Sequence, residues 1–289
     1  VAVQEQWTHQ DVETNGVRLH CVTQGEGDLV ILLHGFPENW YSWRHQIPFL
    51  ARRFKVVAPD MRGYNLSEKP EGIESYGVSD LTADVKGLIE AFGRDRAHVV
   101  GHDWGGAVAW MFSMAYPGNL DKLAVLNCPH PAVFAENLMR NPRQIIRSWY
   151  MFFFQLPVLP ELAFRSFDYR ALKRAFVGWA INKDAFSEAD IEELKEAAAK
   201  PGALTGGINY YRAMFRNRAL LKTRKSLPRI KSPTLVIWAE EDRALGKELT
   251  FGMEPYFEDG IEIKYIPDCS HWVQQEQPLL VNQFLDEFL

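Results

Sequence analysis

The sequence predicts an α/β fold: a mostly parallel central sheet flanked by helices, with an inserted all-helical cap, or lid, between two strands. Three observations carry this reading. Short β-branched runs alternate with helical patterns along most of the chain, the rhythm breaks once into helices alone, and strands return after the break. With 289 residues, 47% of them apolar and 24% charged, the chain can bury a sizeable core.

The elements follow in order. Residues 17–23 (VRLHCVT) and 29–34 (LVILLH) read as strands with no helix between them, so the N-terminal edge of the sheet is expected to be antiparallel. Residues 54–58 (FKVVA) form the next strand. In SDLTADVKGLIEAF, Leu81, Val85, Leu88 and Ile89 share one helical face, and Ser79 is placed to cap it. Residues 97–101 (AHVVG) read as a strand, GGAVAWMFSMAY as a helix, and residues 122–127 (KLAVLN) as a further strand. Strand-like runs then vanish from Pro131 to Leu227. Within that stretch SEADIEELKEAAA opens with Ser187 as N-cap and Asp190 at the acidic position of a capping box. Pro228 and Pro233 mark the return to the core, completed by residues 234–239 (TLVIWA) and by IEIKYI, which contains Glu262. The expected division is a core formed by 1–130 and 228–289, with the helical cap at 131–227.

Composition excludes several classes. The formal net charge is −5, and no lysine or arginine cluster is interleaved with aromatics, so nucleic acid is not an expected partner. Cys21, Cys128 and Cys269 are odd in number, far apart and outside metal-ligand spacings. They are expected to be free thiols in a reducing, cytoplasmic compartment, with no metal site. The start VAVQEQWTHQ has neither the basic residues nor the apolar run of a signal peptide, and the lack of an initiator Met leaves room for a segment removed upstream. The longest apolar run, WYMFFFQLPVLP, is too short to span a bilayer and is interrupted by Pro157 and Pro160. A lid or pocket lining is expected there in preference to a membrane surface. No transmembrane segment is expected, and oligomeric state is not legible.

Chemistry concentrates in VVGHDWGG. Gly101 and Gly105 flank Asp103 two residues away on either side, after a strand and before a helix. A nucleophile elbow needs small residues at those places, because the chain reverses so sharply that side chains would collide. The helix N-terminus behind it favours an anion. An aspartate ahead of a helix can also be a plain N-cap, so the partners matter. Asp242 follows the strand TLVIWA, and His271 follows IEIKYI. Singly they read as a turn residue and a helix cap; together with the elbow they match the chain order nucleophile, acid, histidine of an α/β-hydrolase triad. HGFP follows another strand, so the amide of Phe36 can form an oxyanion hole with that of Trp104. His34 reads as a structural histidine at the pocket, beside Pro37.

A carboxylate, with a reference pKa of about 3.9, is already ionised at neutral pH and needs no base to attack. It displaces a leaving group from saturated carbon and forms an alkyl ester, which a histidine can then hydrolyse by activating water. The expected substrate is thus a small molecule with an electrophilic saturated carbon, an epoxide or an alkyl halide, and the only co-reactant is water; no cofactor is expected. An opening epoxide benefits from a phenolic O–H donor, a departing halide from indole or amide N–H groups.

From HGFPENWYSWRHQIPFL through VVAPDMRGYNLSEKP, GHDWGG, SWYMFFFQLP and NYYRAMFRN to DCSHW, the chain resembles the epoxide hydrolase branch of the α/β-hydrolase superfamily over nearly its whole length. The resemblance implies Asp103 as nucleophile, His271 as base, Asp242 as its partner, Phe36 and Trp104 as oxyanion amides and a cis bond before Pro37. It further implies Tyr150 and Tyr211 as the lid tyrosines that protonate the epoxide oxygen. From the residues alone, Tyr150 and Tyr210 are equally compatible with core aromatics. Trp149, Phe152, Phe153 and Phe154 are expected to line or roof an apolar pocket. The family pattern is broken twice, by Asn65 in RGYN and Ala239 in WAEED, where glycine is common; Asn65 is expected to take a turn conformation that asparagine tolerates. The alternatives are a haloalkane dehalogenase, sharing the aspartate elbow and kept open by Trp104 and Trp149, and a non-catalytic ligand receptor, whose signature would be a damaged triad.

Overall fold

A computed structural model describes residues 7–216 and 227–289. Eight strands form one sheet in the order β1-β2-β4-β3-β5-β6-β7-β8. They are β1 (Thr8–Thr14), β2 (Val17–Gln24), β3 (Asp28–Leu33), β4 (Phe54–Pro59), β5 (Ala97–His102), β6 (Leu120–Leu126), β7 (Thr234–Ala239) and β8 (Glu262–Ile266). From β4 to β8 every pairing is parallel. The antiparallel N-terminal edge is present, but β2 pairs with β1 and β4, not with β3. β1 is the strand the hydrophobic pattern missed. Its sequence THQDVET is polar and largely exposed, so backbone pairing with β2 holds it in the absence of a buried face.

Alternation along the strands splits the core into two. Leu29, Ile31, Leu33, Val99 and Val125 belong to one cluster, and Val30, Leu32, Val100, Ala124 and Leu126 to another on the opposite face. The short α1 (Ile47–Leu50) is followed by α2 (Val78–Ala91) and α3 (Trp104–Ala115). In α2, Leu81, Val85, Leu88 and Ile89 are all buried. Its start corrects the sequence expectation: Gly77 is the N-cap and Ser79 lies inside the first turn. A 3-10 turn at Glu74–Tyr76, anchored by buried Tyr76, brings the chain into the helix two residues early.

Between β6 and β7 the described chain is helical: α4 (Pro131–Arg140), α5 (Pro142–Arg147), α6 (Trp149–Phe153), α7 (Leu159–Trp179), α8 (Glu188–Ala199) and α9 (Ala203–Arg216). The last part of the expected insertion, 217–226, lies outside the described residues, as does the segment 1–6. The capping box of α8 forms as expected, with Asp190 N–H donating to Ser187 Oγ (3.2 Å) and Ser187 N–H to Asp190 Oδ2 (2.7 Å). α7 bends at Phe167, Asp168 and Tyr169, which have positive φ. The helical layer has its own core of Leu172, Phe176, Ile191 and Leu194, which closes on Trp272 of the last core loop. There α10 (Val273–Glu276) and α11 (Pro278–Phe288) complete the chain.

The cysteines are unpaired and buried, and no helix among the described residues is long and apolar enough to cross a membrane. Asn65 takes φ +37, the left-handed turn that asparagine tolerates, and its side-chain amide donates to Asp60 (3.0 Å).

α3 starts so close to β3 that a Cβ on Gly105 would collide with the backbone carbonyls of Leu33 and His34. Gly105→Ala should therefore cost about 1–3 kcal/mol, seen as a lowered urea midpoint. An unchanged midpoint would show that this packing is not tight.

Candidate active site

Asp103 occupies the turn between β5 and α3 with φ +50 and ψ −118, a conformation costly for an L-residue. The turn closes only because Gly101 and Gly105 have no side chains; a Cβ on Gly101 would strike the backbone of Gly105. The two carboxylate oxygens differ. Oδ1 accepts the amide N–H of Phe36 (2.8 Å), while Oδ2 lies 3.5 Å from His271 Nε2. Burial works to raise the pKa of Asp103, but the hydrogen bond and charge of His271, the charge of His102 and the Phe36 amide outweigh it, and the net shift is downward. The oxygen is therefore an anion at neutral pH although its side chain is only 12% exposed. Phe36 precedes a cis bond to Pro37, and Trp104 opens α3 directly behind the aspartate.

Asp242, after β7, holds His271, after β8, through a 2.6 Å bond from Nδ1 to Oδ2. Its other oxygen accepts the amides of Ala244 (2.7 Å) and Leu245 (2.9 Å). Burial opposes the charge of Asp242, and these donors together with the charge of His271 overcome it, so its pKa falls. For His271 burial disfavours the cation, yet a carboxylate on either side drives its pKa well above the ordinary value. All three shifts favour the arrangement carboxylate, imidazolium, carboxylate in the free site.

The helical layer supplies the opposite wall. Tyr211 on α9 lies with its ring centroid 4.9 Å from that of Trp104, 5.6 Å from Phe36 and 5.9 Å from Tyr150 on α6. Burial, then the charge of Asp103, pushes both phenols above their usual pKa, so both remain protonated donors. The neighbouring Tyr210 is committed elsewhere, its hydroxyl donating to the carbonyl of Arg62 (2.9 Å). Phe154 packs on Tyr211, Phe36 and Tyr150, and Phe153 packs against Phe154. Trp149 and Phe152 are instead 63% and 52% exposed, Trp149 meeting the outer edge of this cluster only at Phe153 (6.0 Å between ring centroids). His34 is fully buried; its Nδ1–H donates to the carbonyl of Gly35 (2.8 Å) and its Nε2 accepts from Met61 N–H (3.0 Å), so no ring nitrogen is left for a substrate.

Sequence reasoning missed a polar layer beneath these groups. Glu38, one residue beyond the HGFP motif, accepts from the amide of Gly35 (2.9 Å), from His102 Nδ1 (2.8 Å) and from the side-chain amides of Gln274 (3.0 Å) and Gln275 (2.8 Å). His102 Nε2 donates to the carbonyl of His271 (2.8 Å). Asn127, at the end of β6, donates to Asp242 Oδ2 (2.8 Å) and accepts from Ala239 N–H (2.9 Å). The available signal was position: each is a polar residue at the carboxyl end of a buried strand or in the loop after it.

The described residues contain no cluster of His, Cys, Asp and Glu able to hold a metal. Residues 28–278 match the family described as alpha/beta hydrolase fold. The chain is 42% identical to the AB hydrolase superfamily protein YfhM of Bacillus subtilis (strain 168), over 97% of each chain. It is 38% identical to epoxide hydrolase 4 of Mus musculus, covering 96% of this chain and 78% of that one. The structure superposes on an inhibitor complex of Bacillus megaterium epoxide hydrolase with a TM-score of 0.89 and 32% identity, over 96% of this chain and 99% of the other. Epoxide hydrolase A of Mycobacterium thermoresistibile gives a TM-score of 0.87 at 32% identity, over 98% of each. The chain belongs to the α/β-hydrolase fold family, among its epoxide hydrolases.

Proposed function

We propose that the protein converts epoxides to vicinal diols through an ester on Asp103. The observation that carries this reading is the pairing of an ionised carboxylate at a nucleophile elbow with two protonated phenols across from it, Tyr211 buried and Tyr150 partly buried. The partition that supports it is a core of 1–130 and 228–289 with a cap at 131–227. The buried unpaired thiols favour a reducing, cytoplasmic setting.

In the first step Oδ2 of Asp103 attacks an epoxide carbon. The carbon–oxygen bond breaks, and the alkoxide takes a proton from Tyr150 or Tyr211. Solvent carries the imidazolium proton of His271 to the phenolate, which leaves a neutral ring. Loss of the Asp103 charge on ester formation removes one of the two carboxylates that held the ring cationic, so the same event that creates the ester creates the base that hydrolyses it. In the second step His271 takes a proton from water, which attacks Cγ of Asp103. Charge gathers on Oδ1, where the Phe36 amide already donates, and Trp104 N–H at the start of α3 adds to it. Collapse breaks the Cγ–Oδ2 bond, the departing alkoxide takes the proton of the new carboxyl group, and the diol leaves with Asp103 a carboxylate and His271 an imidazolium. Asp242 keeps the ring oriented throughout.

A departing halide needs weakly polar N–H donors, whereas phenols stand across from Asp103 and the indole of Trp104 is engaged with Tyr211. Diol from a styrene-type oxide without bromide from a bromoalkane is the expected pattern; bromide without diol would reject the proposal. With His271→Gln the epoxide should leave a substrate-sized mass increase on Asp103, and the intact protein accumulating no adduct in a single turnover would remove the covalent step. Tyr150→Phe and Tyr211→Phe should each slow alkylation, and the double change should lose roughly 10²–10⁴-fold; an unaltered rapid-quench rate would take the tyrosines out of the reaction. The charge logic predicts the pH response. At about pH 5 Asp103 stays ionised because its pKa is lowered, while His271 in the ester form is protonated, so hydrolysis slows before alkylation and ester builds up relative to about pH 8. Mass spectrometry of quenched steady-state samples checks this, and less ester at the lower pH would contradict it.

A further inference from the structure

The outer side of the cap reverses the usual arrangement of an amphipathic helix. Along α5, α6 and the turn that follows, the side chains of Gln144, Ser148 and Met151 are buried, while Ile145, Ile146, Trp149, Phe152 and Leu156 are exposed. The buried polar groups are satisfied inside: Gln144 donates to Ser148 Oγ (3.0 Å) and to the carbonyl of Ala244 (2.8 Å). The apolar stripe continues into the turn and first helical turns of α7 through Val158 and Leu159. Ten of the fifteen large apolar side chains exposed among the described residues fall within 139–167. Such a concentration goes beyond the scattered apolar exposure of an ordinary surface and marks an interaction face.

Charge narrows the occupant. Residues 131–179 carry seven Lys or Arg against three Asp or Glu, in a chain whose net charge is −5. Among the described residues Arg143, Arg165 and Arg170 make no ion pair, whereas Glu161 is neutralised by buried Arg212 (2.9 Å) and Asp168 by Lys195 (2.9 Å). An apolar stripe with a basic margin is the pattern that inserts into the headgroup region of an anionic bilayer. A second copy of the chain docked face to face would set these like charges against one another.

We propose that the α5–α6–α7 face of the cap docks reversibly on anionic lipid bilayers. The aromatic and aliphatic tips enter the acyl boundary, the arginines meet the headgroups, and α6, which bears Tyr150 and is capped by Phe154, lies against the source of apolar molecules. The inference is independent of the reaction performed inside.

Sedimentation of the full chain with phosphatidylcholine vesicles, alone or containing phosphatidylglycerol, tests it. Recovery is expected with the anionic vesicles only and should fall as salt rises. Arg143→Gln with Arg165→Gln should weaken partitioning about 30-fold, the equivalent of about 1 kcal/mol for each basic residue at the surface. Ile146→Ser with Leu159→Ser should weaken it at least about 10-fold. Melting temperatures equal to that of the parent protein establish that both variants are folded. Equal recovery with neutral and anionic vesicles, or partitioning unmoved by both folded variants, overturns the proposal. So does a parent protein that ignores vesicles but forms a dimer in velocity sedimentation that the Ile146→Ser, Leu159→Ser variant abolishes, since that assigns the face to a second copy.

Discussion

The negative charge of Asp103 is kept in a nearly closed site by the geometry of one backbone turn. Position 103 has positive φ, which is unfavourable for an aspartate, and surrounding structure supplies what holds it there. Gly101 and Gly105 let β5, α3 and the end of β3 approach within contact of one another, and α3 begins immediately behind the carboxylate. The Phe36 amide and the His271 ring then approach different oxygens of the same group. In the proposed mechanism that asymmetry separates the oxygen that attacks a substrate carbon from the oxygen that bears charge when the ester is hydrolysed.

Around this turn the charges are arranged to be spent in order. His271 sits between two carboxylates that raise its pKa, and in the proposed reaction its basicity becomes useful when one of them is consumed. Below it, Glu38 and His102 join three loops: the one carrying Phe36, the strand end before Asp103 and the carbonyl of His271 itself. A polar layer buried this deeply is costly unless its charges are bonded, and here Glu38 and His102 are bonded to each other and to the loop that carries His271.

The cap closes on the core through the loop that carries the histidine. Trp272, adjacent to His271, packs 4.3 Å from Phe176 between ring centroids and donates its indole N–H to the carbonyl of Ala175 (3.0 Å). Glu276 accepts from Ser270 on that loop and from the amides of Ile181 (2.7 Å) and Asn182 (3.1 Å) in the cap. The two phenols and the histidine are consequently positioned by elements tied to one another, although they come from distant parts of the chain.

The sequence alone determined the alternation of strands and helices, the helical interruption, the glycine-flanked turn and the order Asp103, Asp242, His271. Each is a local pattern, a periodicity or a steric need within a few residues. It did not disclose β1, whose polar face lacks periodicity, or the early start of α2, which depends on where Tyr76 is buried. Nor did it disclose the Glu38–His102 layer or the Asn127 bridge, because a polar residue becomes structural only when distant strand ends converge on it. Periodicity left Tyr210 and Tyr211 alike and only the family resemblance singled out Tyr211; tertiary structure gave Tyr210 its bond to the Arg62 carbonyl and separated buried Phe154 from exposed Trp149 and Phe152. Neighbouring aromatics have the same propensities, and only the packing of the cap against the sheet decides which of them faces the charge.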